Sequence, residues 1–148
     1  MGRSRTFLAA LACAAAVAAG GLAGCGGGDD ASLSREEFVA QANQICADGT
    51  ARIEAAVPAD TSGPPSGAGG ERFYETIVDE TQGTVDGIAA LEPPDEIRAD
   101  VDAMVAAARE VLSEMRATPA GEFFQRNEDP FDEVNVVATR LGLPACAS

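Results

Sequence analysis

Ile97, Val101, Met104, Ala108, Val111 and Met115 recur at intervals of 4-3-4-3-4, with Val105 and Leu112 beside them. Only an α-helix places that spacing on one face, because 3.6 residues complete each turn. The pattern predicts a helix that buries one stripe and needs other helices to cover it. Asp95 and Glu96 stand where the positive end of its dipole would lie, and Arg109 and Arg116 toward the negative end. Pro94 suits its first turn. A Met-bearing stripe can line a ligand cavity, but core packing is the expected role of this one.

Proline and glycine punctuation divides the rest into further helical segments. Ser34-Arg35-Glu36-Glu37 has the form of a capping box. Phe38, Ala42, Ile45, Gly49 and Ile53 then follow at helical spacing, with Val39 and Cys46 on an adjoining stripe, predicting a first helix that reaches about Ala56. Residues 58–70 are low-complexity, carry no apolar anchor and read as a flexible loop. A second helix is expected from about Glu71 to Leu91. Its apolar stripe is Phe73, Ile77, Thr81, Thr84, Ile88 and Leu91, with Tyr74, Val78 and Val85 beside it. Gly83 and Gly87 within it either admit a neighbouring helix or bend this one. Glu122 to Arg126 reads as a short turn presenting Phe123 and Phe124. A last helix is expected with Asp129 as N-cap and Pro130 at its first position, an apolar face of Phe131, Val134, Val137, Ala138 and Leu141, and Gly142 as its stop. The expected fold is all-α, an antiparallel bundle of about four helices, in a domain spanning 34–148.

The N-terminal residues belong to a different kind of segment. Arg3 and Arg5 precede an apolar run at 7–19, followed by small residues. That order is the pattern of a secretory signal peptide, and the run is shorter than the ~20 apolar residues a spanning helix needs. It ends in Leu22-Ala23-Gly24-Cys25, which resembles the bacterial lipobox. The resemblance implies cleavage before Cys25, a thioether-linked diacyl lipid with palmitate-type chains on its thiol, and a mature protein that starts there. Residues 1–24 are then the lipoprotein signal peptide and 25–33 a flexible tether. The Gly-rich stretch 26–32 reaches at most roughly 25 Å. The expected location is the extracytoplasmic face of the cell membrane, with the lipid on Cys25 as the membrane partner. The competing reading is a soluble secreted protein cut nearby, with Cys25 incidental.

Losing residues 1–24 removes two of the ten basic residues and none of the 24 acidic ones, so the mature charge is −16. That argues against nucleic acid as a partner, since such proteins carry basic patches. It also argues against docking on anionic headgroups, leaving membrane attachment to the lipid. Of the four cysteines, Cys13 lies in the signal and Cys25 at the lipid site. Cys46 and Cys146 remain, and in an exported protein a disulfide is the default. A reactive thiol or a metal pair is the alternative, made thin by the absence of histidine and of any C-x-x-C.

The chain contains no histidine, which removes Ser-His-Asp, Cys-His and His-zinc chemistry. No Gly-rich phosphate loop precedes a helix in the required setting. Carboxylate pairs leave an extracytoplasmic hydrolase open on composition alone. Asn127, Asp129, Asp132, Glu133 and Asn135 cluster oxygen groups that calcium uses, without the rhythm or glycine of a calcium loop; helix capping is the simpler role. No catalytic, cofactor or metal residues are assigned.

S-R-E-E-F-V-A-Q-A-N-Q-I-C-A, L-E-P-P-D-E-I and the closing A-T-R-L-G-L-P-A-C resemble small exported proteins, often lipoproteins, of high-GC Gram-positive bacteria, which are helical and functionally uncharacterised. The resemblance supports Cys46–Cys146 pairing and implies no activity. The expected function is a non-enzymatic module that binds an envelope protein or a small ligand. The alternatives are a purely structural or accessory envelope lipoprotein and, third, the hydrolase.

Overall fold

The computed structural model describes residues 32–57, 66–126 and 128–147. The expected lipid site at Cys25, the signal peptide, most of the tether and most of the loop lie outside them.

Four longer helices and one short one follow in order: α1 (Arg35–Ala56), α2 (Gly67–Ala89), α3 (Asp95–Ala117), α4 (Ala120–Phe123) and α5 (Asp132–Leu141). A 3-10 turn, Pro144–Cys146, closes the described chain. This is the all-α antiparallel bundle the sequence predicts. α1 packs on α2, α2 on α3 and α3 on α5, while the 3-10 turn returns to both α5 and α1. The helices thus form a ring, and the C-terminal turn is the piece that completes it.

α1 starts as predicted. Glu37 N–H donates to Ser34 Oγ (3.3 Å), and Ser34 N–H donates to Glu37 Oε2 (3.0 Å). α3 buries Ile97, Val101, Met104, Val105, Ala108, Leu112 and Met115, with Val111 half-buried at the edge of the stripe. α5 stops at Gly142, whose φ of +85° is a left-handed conformation that suits glycine. Leu143 N–H then donates to Ala138 O (2.9 Å), which turns Leu143 wholly into the core.

Three expectations need correction. α2 begins at Gly67 rather than Glu71, because Gly70 is buried where α4 packs against this end of the helix. Glycine's weak propensity is overridden there by tertiary contact. The most buried side of α2 is Tyr74, Val78, Val85 and Ile88; Phe73, Ile77, Thr81 and Thr84 are only half-buried. Finally, α5 begins at Asp132 with Phe131 as its N-cap residue. Asp129 caps a turn instead, its Oδ1 accepting from Phe131 N–H at 2.8 Å.

No polar or charged residue is buried among the described residues, and no buried side-chain N or O atom lacks a hydrogen-bond partner. Phe38, Leu112 and Leu143 are the largest fully buried side chains. Each contributes about 1.5–3 kcal/mol by leaving water. Surface ion pairs cross between helices: Arg52 with Glu80, Arg109 with Asp86, and Arg126 with Glu114. Exposed pairs of this kind contribute about 0–1 kcal/mol each, so the apolar core dominates.

Candidate groove beside the disulfide

Cys46 and Cys146 are joined, with their Cα atoms 5.1 Å apart. The bond fastens the C-terminal turn to the middle of α1 and closes a loop spanning a sequence separation of 100. Asn43, one turn earlier on α1, holds the same segment without covalent help. Its Nδ2 donates to Gly142 O (3.1 Å), and its Oδ1 accepts from Ala145 N–H (3.1 Å).

The disulfide forms one wall of a groove of about 170 Å³ between α1, α2 and the segment that leads into α5. Thr50, Thr81 and Thr84 line it from the helices, and Asp129 and Asn135 from the opposite side. Thr84 Oγ1 is spent on Glu80 O at 2.9 Å. The Thr50 and Thr81 hydroxyls bond no other described residue. Asn135 Nδ2 donates to Asp129 Oδ2 (2.9 Å), so the Asp129 carboxylate is held by two donors.

Below the groove lies a smaller chamber of about 80 Å³. The two share Cys46, Cys146, Thr81, Thr84 and Phe131. The chamber is otherwise walled by Val85, Ile88, Met104, Val105, Ala108 and Val134. Ligand sites for drug-sized molecules occupy about 300–1,000 Å³. A chamber of this size, lined by apolar side chains with Thr81 and Thr84, suits something smaller.

Phe123 and Phe124 do not form an exposed patch. Both are half-buried. Phe123 packs at 4.8 Å, ring centre to ring centre, from Tyr74, and Phe124 at 6.3 Å from Phe73 and 5.8 Å from Tyr74. Pairing of this kind adds to the burial itself and fixes α4 on α2. The exposed large apolar side chains among the described residues are Val57 and Val136, which are isolated.

The oxygen cluster near α5 is also accounted for by local structure, since Asp129 serves the turn and Asn135. No group of three or more His, Cys, Asp or Glu among the described residues is placed to hold a metal ion. Glu37 and Asp86 have carboxyls held below their ordinary range. Ser34 donors cause the first, and Gln82 and then Arg109 the second. Neither lines the groove. A general acid needs the opposite shift, produced by burial or a neighbouring carboxylate.

Cys46, Cys146 and Asp129 stand out singly in the sequence, and nothing local in it brings them to one place. Thr50 and Asn43 belong to no motif, so no sequence signal marks them. No described helix is long and apolar enough to cross a membrane. The chain matches no protein-family model, no curated protein and no solved structure.

Proposed function

We propose that the chain is a lipid-anchored, extracytoplasmic binding module, non-enzymatic, with the groove beside Cys46–Cys146 as its binding element. The observation that carries this reading is the groove itself: two uncommitted hydroxyls and a held carboxylate over an apolar chamber. A small ligand is favoured over a protein partner, because protein interfaces need an extended surface and no contiguous exposed apolar patch is found among the described residues.

The point of attachment supports the same reading. Leu33 N–H donates to Glu92 O at 2.8 Å, and the Leu33 side chain packs on the core. A tether from Cys25 therefore joins the bundle at the end carrying the α2–α3 turn. Thr50 lies about 24 Å further along α1, at 1.5 Å per residue from Ser34. A lipid on Cys25 would hold the turn end toward the bilayer and leave the groove in water.

A structural or accessory role is the second reading, favoured by the small volume of the groove. Two measurements test the proposal. Cys25→Ser should move the protein from the membrane fraction to the medium or leave it uncleaved; unchanged fractionation rejects the anchor. Titration of small amphipathic compounds into the mature protein, followed by amide NMR, should shift the signals of Thr81, Thr84 and Asn135. An unresponsive groove across a broad compound set favours the structural role.

A further inference from the structure

We infer that the groove selects small aliphatic ammonium compounds: a short, branched apolar body in the chamber and a cationic head at Asp129. The inference rests on reading the groove as a binding site and adds the class of ligand.

Size comes first. The chamber is about 80 Å³, roughly half of the ~150 Å³ apolar cavity that admits benzene. A chamber of that volume takes only a small apolar group. Its walls come from α2, α3, α5, Phe131 and the Cys46–Cys146 disulfide, and carry no charged side chain. A ligand buried there must be apolar at that end, because an unpaired polar atom would lose its water without replacement.

Charge comes second. Asp129 is the one ionisable side chain lining the groove, and no arginine lines it. Among the described residues Asp129 has no salt-bridge partner. Phe131 N–H and Asn135 Nδ2 each take one of its oxygens and fix this exposed carboxylate in the groove lining. A carboxylate offers about four acceptor sites, so two bonds leave room for more. An ammonium group donates up to three hydrogen bonds and accepts none. It matches the carboxylate, with the Thr50 and Thr81 oxygens as further acceptors. The chain's net charge of −14 attracts cations and repels carboxylate ligands.

The test uses three compounds of one shape and different charge: 3-methylbutylamine, 3-methylbutanol and 3-methylbutanoate. Each is titrated into the mature, disulfide-closed protein in detergent solution, with amide NMR at low salt. The amine should saturate shifts at Thr81, Thr84 and Asn135, the alcohol should bind about tenfold more weakly, and the carboxylate should not bind. Asp129→Asn should reduce amine affinity to that of the alcohol. Ala108→Leu, which fills the chamber, should abolish binding of both. Thermal melts of each variant confirm that it is folded. Equal affinity for amine and alcohol, or amine binding indifferent to Asp129→Asn, overturns the cation preference while the groove remains a site. Failure of all three compounds overturns both readings.

Discussion

Gly49 of α1 leaves no room for a side chain against Thr84 of α2: a β-carbon there would lie 2.2 Å from Thr84 Oγ1. Turning Thr84 away would give up the bond that the same oxygen donates to Glu80 O at 2.9 Å. Gly49→Ala should therefore destabilise the protein by about 1 kcal/mol. The clash, typically ~1–3 kcal/mol, outweighs the ~1 kcal/mol gain in helix propensity. Thr84→Ala in the same chain should recover most of the loss, as a double-mutant cycle in denaturant would report.

Gly83 supplies the contrast. Nothing lies within 4 Å of the β-carbon it lacks, and it is exposed on α2. Gly83→Ala should stabilise the protein by about 0.5–1 kcal/mol, measured as a higher denaturant midpoint with unchanged slope. Gly87 is the intermediate case, with a β-carbon position 3.1 Å from Ile45 Cγ2. The G-x-x-x-G spacing of Gly83 and Gly87 is legible in the sequence, but only Gly87 faces α1. The true point of close approach, Gly49, belongs to no such pattern.

The same division runs through the rest of the molecule. α3 is fully legible because it packs on both α2 and α5 and its stripe is wholly apolar. α2 is less so, since its half-buried Phe73, Ile77, Thr81 and Thr84 continue the periodicity of its buried residues. Periodicity reports which side is apolar, not how deeply each residue is covered. Asp129-Pro130 carries every local signal of a helix start, yet Asp129 is drawn into a turn that places Phe131 against the groove. Groove residues come from positions as distant as 50 and 146, and nothing local in the sequence joins them except the cysteine pair.

Tyr74 Oη donates to Met115 O at 2.8 Å inside the bundle, and burial pushes its phenol above the ordinary value. Tyr74→Phe should cost about 1 kcal/mol at neutral pH. The chain has one tyrosine and no lysine, and Cys46 and Cys146 are disulfide-bonded. With its phenol pKa raised by folding, the stability this group supports is complete below about pH 10 and lost as pH rises through the folded value. Melting temperature should fall above about pH 10 in the wild type and much less in Tyr74→Phe.

The capping box at Ser34 gives the acidic counterpart. Ser34 Oγ–H and N–H both donate to Glu37 Oε2, at 2.6 Å and 3.0 Å, and hold its carboxyl below the usual range. Because the folded pKa is depressed, this contribution is present above the unfolded value and lost as pH falls through the folded one. Ser34→Ala should lower the melting temperature at neutral pH and flatten its decline between about pH 5 and pH 2. An unchanged acid limb in the variant would show that the box does not persist in solution.

The disulfide closes the ring of helices where the C-terminal turn meets α1, beside the Asn43 hydrogen bonds. Replacing Cys46 and Cys146 with alanine should cost about 2–5 kcal/mol. Asn43 and Leu143 still hold the turn, so helical circular dichroism should survive at low temperature. Adding Asn43→Ala should lower stability further and expose the groove wall to proteolysis at the C-terminus.

Proposed lipidation at Cys25 and closure by Cys46–Cys146 can be read on one molecule. Intact-mass analysis of the membrane-extracted protein, without reduction and after thiol alkylation, tests both together. The predicted result is a chain beginning at Cys25 that carries diacylglyceryl mass on that residue and takes up no alkylating reagent. A species that starts elsewhere without lipid, or that is alkylated at Cys46 and Cys146, would contradict it.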